Sequence, residues 1–224
     1  MFHVAQTQPF PTKERVEGSP GVFEKGMNLH SIEAARMTSF SQFDRPLRIT
    51  TPLGPDALLL VGLRGYETLS RLFHFELELL ADRRVPLEYE KLLGQPVLAE
   101  VTVGGVRRCF HGLVCKLTEG RQDETFTQYR ALLAPQFWLW TRRVQSRIFQ
   151  QMSVPDVLRQ VLAGLKFSLD LTGAYPARDY CVQYRESDFA FASRLMEEEG
   201  LYYYFVHSAA GHELIITDSR FQTP

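Results

Sequence analysis

The chain has 224 residues, 45% hydrophobic and 23% charged, with 25 Lys+Arg against 26 Asp+Glu and a formal net charge of −1. A chain of this length buries roughly 70% of its unfolded surface, so it needs neither disulfides nor a metal to fold. The mixed, near-neutral charge lacks the basic face of a duplex nucleic-acid binder, and no run approaches the roughly 18 apolar residues of a membrane span.

Residues 1–40 read as a disordered extension. Pro9-Phe10-Pro11, Glu17-Gly18-Ser19-Pro20-Gly21 and Lys25-Gly26 break any periodicity, and Met1, Met27 and Met37 are alternative starts. Order is expected from near Leu47. Leu47–Thr50 is a short strand, Pro52–Asp56 a turn and Ala57–Val61 a buried strand. Phe73, Phe75, Leu77 and Leu79 then alternate with His74, Glu76 and Glu78, which puts the apolar set on one face of a strand. Leu87–Leu93 makes a helical turn ended by Gly94 and Pro96. Val97–Val103 and Val106–Leu117 flank Gly104-Gly105, whose freedom to take positive φ suits a tight hairpin. Thr125–Leu133 adds a strand before the aromatic cluster Phe137-Trp138-Leu139-Trp140. Short strands at this spacing point to a small closed barrel or sandwich over 41–145.

The pattern changes over 146–224. Ser153 is an N-cap with Asp156 three residues on, and Val154, Val157, Leu158, Val161, Leu162 and Leu165 form the apolar stripe of a helix. Phe167, Leu169 and Leu171 alternate as a strand. A second helix opens at Ser187-Asp188, turns Phe189, Ala192, Leu195 and Met196 inward, and stops at Gly200. Leu201–Val206 and Glu213–Thr217 pair across Ser208–His212. This half is α+β and ends abruptly, as if partner strands were missing.

No motif in this order carries chemistry. Gly104-Gly105 lacks the spacing of a phosphate loop and the helix after it. Cys109, His111 and Cys115 share strand parity, but Cys109 and Cys115 lie about 20 Å apart on a strand, too far for one ion. Three cysteines, the third being Cys181, make no disulfide framework and fit a reducing compartment. Cys181 reads as a small buried residue of a strand, and His74 as a solvated one. Glu197-Glu198-Glu199 is the one acidic cluster. Consecutive helix residues point about 100° apart, so its members cannot flank one glycosidic bond, and a solvated face or a partner contact is the simpler reading. Arg142, Arg143 and Arg147 are an ordinary surface cluster. No catalytic, cofactor or metal residue is expected.

One stretch is more specific. Cys181-Val182-Gln183-Tyr184-Arg185-Glu186-Ser187-Asp188-Phe189-Ala190-Phe191, continued by Glu197-Glu198-Glu199-Gly200-Leu201-Tyr202-Tyr203-Tyr204-Phe205, closely resembles the VgrG proteins, the spike proteins of type VI secretion, and the related hubs of contractile phage tails. Thr51–Asp56, Leu69–Leu77, Leu93–Pro96, Phe110–Val114 and Arg147–Leu158 resemble the same family, in order, from about residue 47 to 220.

The resemblance implies a mainly β, α+β chain: a barrel related to the tail-tube fold, then part of a second α+β hub domain. It implies a mechanical role in which a homotrimer makes a pseudo-sixfold ring, caps a hexameric Hcp-like tube protein and meets baseplate proteins. It implies a cytoplasmic stage before firing, then secretion without a cleavable signal. Family members continue into an oligonucleotide-binding-type barrel and a β-helix needle, so the chain reads as truncated before both. The alternatives are a phage-tail or tailocin hub, a carbohydrate-active β-protein and a ligand-binding barrel.

Overall fold

The computed structural model of the chain describes residues 2–3 and 40–219. The expected extension over 1–40 therefore lies almost wholly outside the described residues. Phe2–His3 (β1) pairs with Arg64 and Gly65 of the third strand.

Alternation of apolar and polar residues builds one large antiparallel sheet. Its strands are β1, β2 (Leu47–Thr50), β3 (Leu59–Tyr66), β4 (His74–Asp82), β5 (Pro96–Val103), β6 (Val106–Gln122) and β7 (Phe126–Ala134), in the order β1-β3-β4-β7-β6-β5-β2. In β4 the expected stripe is real: Phe75, Leu77 and Leu79 are buried while His74, Glu76 and Glu78 are half-buried. Gly104 and Gly105 both take positive φ, +58° and +81°, and close the β5–β6 hairpin with Val103 opposite Val106. The sheet curls until β2 comes up against β3, with no hydrogen-bonded ladder between them. The expected closed barrel is thus a curled half-barrel, because β2 is only four residues long and leaves the seam unzipped.

Order starts before Leu47. The Gln42 side chain, itself buried, accepts from Ile49 N–H and donates to the Ile49 carbonyl, both at 2.8 Å. An amide side chain here plays the part of a neighbouring strand for the edge of β2, which satisfies backbone groups that would otherwise be unpaired. The turn expected over Leu87–Leu93 is a short 3-10 turn at Tyr89–Lys91. A second one at Gln136–Arg142 holds the aromatic cluster, burying Phe137 and Trp140, and the Trp140 indole N–H donates to the Val161 carbonyl at 2.9 Å.

The rest of the described chain shares one buried core with this sheet. Helix α1 (Val154–Val161) is capped by Ser153, whose Oγ accepts from Asp156 N–H, and the stripe Val154, Val157, Leu158, Val161, Leu162 is buried. Helix α2 (Asp188–Glu198) is capped by Ser187 through Ala190 N–H and ended by Gly200 at φ +70°. Strand β8 (Val144–Met152) pairs antiparallel with β10 (Arg178–Ser187). Strands β9 (Phe167–Asp170), β12 (Gly211–Thr217) and β11 (Tyr202–Ser208) form a small sheet in which β9 and β12 run parallel. Phe191, not Phe189, points fully into the core and stacks on Phe149 with ring centroids 5.6 Å apart. One buried cluster runs without a break from Leu47 through Phe73, Phe137, Leu158 and Leu195 to Ile216.

Candidate functional site

The residues singled out for chemistry fall into separate places, and several of them have a structural partner. The parity that joined Cys109, His111 and Cys115 is broken at a bulge, since Val114 and Lys116 face Leu133 and Leu132 and leave Cys115 between them. Cys115 turns its thiol to the Leu132 carbonyl at 3.3 Å, and burial pushes that thiol up. Cys181 is buried on β10, and burial likewise raises its thiol, the reverse of what an activated nucleophile needs. His74 is not simply solvated, because its Nδ1 lies 3.1 Å from the Tyr66 hydroxyl. No group of three or more His, Cys, Asp or Glu able to hold a metal occurs among the described residues.

The acidic cluster is a scaffold. Glu198 and Glu199 receive Arg178 at 2.6 and 2.5 Å, and Arg194 reaches Glu198 at 3.1 Å. The Arg178 hydrogen bond, with Arg194 behind it, holds the Glu198 carboxyl below the usual carboxylate range. A carboxylate kept ionised in this way is poorly suited to act as a general acid. Solvated surface was the simple expectation for Glu197–Glu199; instead two of the three clamp β10 to the end of α2.

The arginines are equally committed. Arg147 Nη2 lies 2.5 Å from Asp188 Oδ1 and Arg143 Nε 3.1 Å from Oδ2. The buried Gln183 amide adds a 2.9 Å hydrogen bond to Asp188 Oδ1. Arg142 lies over the Trp138 ring, 5.2 Å from its centroid. A charge removed from water is tolerated when it is paired and hydrogen-bonded in this way. Asp188, the first residue of α2, therefore ties the helix to β8 and β10.

Sequence reasoning missed the outer face of the β8–β10 pair. Phe149, Cys181 and Gln183 point inward, while Ile148, Val182 and Tyr184 are 59%, 39% and 67% exposed on the other side, with Val182 directly opposite Ile148. Tyr180 and Val144, 55% and 63% exposed, extend the patch along both strands. A half-buried antiparallel sheet normally turns polar residues to water, so an apolar outer face is the informative departure. The alternation of Tyr180, Val182 and Tyr184 along the chain was its only signal.

Residues 66–224 match the family described as the phage tail baseplate hub (GPD). The chain belongs to that family. Among curated relatives, this hub chain is 45% identical over 184 residues to the type VI secretion system spike protein VgrG1c of Pseudomonas aeruginosa, covering 80% of this chain and 25% of that one. It is 44% identical over 183 residues to VgrG1a of the same organism, covering 80% and 28%, and 32% identical over 187 residues to VgrG3 of Vibrio cholerae, covering 77% and 18%. The hub chain thus spans about a quarter of the length of VgrG1c. The resemblance read from its motifs is borne out.

The fold agrees. The hub chain superposes with a TM-score of 0.66 on the E. coli c3393 protein, at 26% identity and covering 78% of this chain and 49% of that one. That protein is described as a component of the type VI secretion system with structural similarity to the T4 bacteriophage tail proteins gp27 and gp5. The 43 kDa tail protein of prophage MuSo2 from Shewanella oneidensis shares the fold at 15% identity, with a TM-score of 0.53 and coverage of 76% and 52%.

Proposed function

We propose that this chain is the base of a spike in a contractile injection machine, a structural hub that caps the tube and performs no catalysis. The observation that carries the reading is the continuous match of residues 66–224 to the baseplate hub family, on a curled β-sheet with an apolar outer face left uncovered on β8–β10. Residues 41–145 make the tube-like hub unit and 146–224 part of a second one. The partners proposed are two further copies of the chain, the hexameric tube protein and baseplate proteins, with export through the machine itself. A type VI spike is preferred to a phage-tail hub because the VgrG1c relative is 45% identical, against 15% for the MuSo2 prophage tail protein.

The test is assembly. Light scattering on a size-exclusion column, with the purified chain alone and then mixed with the tube protein of the same organism, should give a trimer or a defined tube-hub complex. A monomer that ignores the tube protein at every concentration would defeat the capping role.

A further inference from the structure

Three histidines meet where the three-stranded sheet docks on the seven-stranded one. Strand β7 ends at Ala134, opposite Leu113 of β6, so residues of β6 before Leu113 have no β7 partner. An imidazole from the other sheet takes its place. His207 of β11 accepts the His111 backbone N–H on Nδ1 at 3.1 Å, and His212 of β12 accepts the Gln136 N–H on Nε2 at 2.9 Å. The His111 and His212 rings then meet through their Nδ1 atoms at 2.9 Å.

These contacts leave one proton arrangement. His212 spends its Nε2 lone pair on Gln136, so its proton sits on Nδ1 and is donated to Nδ1 of His111, which must be the bare nitrogen. His207 spends its Nδ1 lone pair on His111 N–H, so its proton sits on Nε2, where Glu67 Oε1 accepts it at 2.9 Å. A further proton on His111 or His212 would set two donors against each other.

We propose that His111, His207 and His212 form an acid-sensitive lock that holds the three-stranded sheet against the seven-stranded sheet. Every nitrogen of the lock that faces the junction is already used, so a further proton on His111 breaks its contact with His212 across the two sheets, and one on His212 breaks its bond to Gln136 of the 3-10 turn. The surroundings offer little compensation. Phe73 closes over His212 and His207 with ring centroids 5.6 and 4.8 Å away. Glu67, from the loop after β3, faces His207 and is itself held by Arg108 of β6 at 3.4 Å. On the side of His212, Lys166 carries a like charge and is paired with Glu213 of β12 at 3.3 Å. Arg71, Arg107 and Cys109 line the cleft on the outer side of His207. No carboxylate therefore faces the His111–His212 contact among the described residues.

Burial, reinforced by the neighbouring rings, holds the His212 imidazole down at about 3, and burial lowers His111 in the same direction. Both groups regain an ordinary value of about 6.5 when the junction opens. The lock is at full strength above that pH and weakens as pH falls below it. Opening becomes more favourable by up to about tenfold per pH unit for each excluded proton.

The test uses the full chain, labelled with nitrogen-15, from about pH 7.5 to about pH 5. Ring spectra at the upper pH should show the Nδ1–H form for His212 and the Nε2–H form for His111 and His207. Amide exchange, corrected for its chemical pH dependence, should lose protection in β11 and β12 by about tenfold or more per pH unit below about 6.5, while β4 and β7 stay protected. His212→Gln keeps an acceptor for Gln136 N–H and cannot titrate, so it should shallow that slope by about one proton. If this variant does not fold, the profile of the natural chain decides alone. Protonation of His111 or His212 near pH 6.5 with β11–β12 still protected, or equal loss of protection in both sheets, overturns the lock.

Discussion

Tyr203 is 1% exposed on β11, and its hydroxyl has no hydrogen-bond partner among the described residues. A buried hydroxyl without a partner costs about 1–3 kcal/mol, so Tyr203→Phe should raise the unfolding free energy by about 1 kcal/mol in urea denaturation. Asp188 is the opposite case. Asp188→Ala strips an acceptor from the buried Gln183 amide and from Arg147, and a counter-charge from Arg143. Arg143 and Arg147 are 42% and 27% exposed in their side chains and can rehydrate, which Gln183 cannot. The expected loss is about 2–3 kcal/mol, below the full penalty for a sealed ion pair. At this scale the sequence announced caps and turns, because Ser153, Ser187 and Gly200 act on residues a few places away. It was silent on Gln42 bonding Ile49, on Asp188 meeting Arg147, and on His111 meeting His212, since those partners are joined only by the fold.

The elements that were legible share strong local pattern. Strand β4 alternates from His74 to Leu79, the β5–β6 hairpin has two glycines at its turn, and α1 carries its stripe at helical spacing. Strand β8 was not legible: only Phe149 of its nine residues is buried, so it has no period-two stripe to read. Its partner β10 supplies the reason it is a strand at all. Removing the cap hydroxyl by Ser187→Ala should cost about 1 kcal/mol, read from the thermal or urea midpoint. Gly65→Ala should cost more. An added Cβ would stand 2.3 Å from the His74 carbonyl oxygen and 2.4 Å from the Phe75 ring, inside the β3–β4 ladder where backbone must move to admit it. A loss of about 3 kcal/mol, or failure to fold, is expected in the same assay.

For the whole molecule, the unbroken core means that the large sheet and the α+β half bury each other. The β8–β10 outer face is the exception, apolar and open. Replacing Ile148 and Tyr184 together by Ser should shift stability by no more than about 0.5 kcal/mol per site, because neither side chain is buried. The same double variant should stay dispersed at higher concentration than the natural chain in light scattering. Equal association by both would show that the patch plays no part in it. This separation of stability from association is what an assembly surface requires and a folding core does not.

The amino-acid sequence by itself determined the mainly β, α+β class, most element positions and the hub resemblance, because alternation, helical stripes, caps and glycine turns are local and survive reading in one dimension. Tertiary structure alone decided that the sheet stops at a half-barrel, that the acidic cluster is clamped by arginines, and that three histidines share one junction. Those outcomes rest on contacts such as His111 with His212, 101 residues apart, and no local spacing encodes which distant donor will face which acceptor.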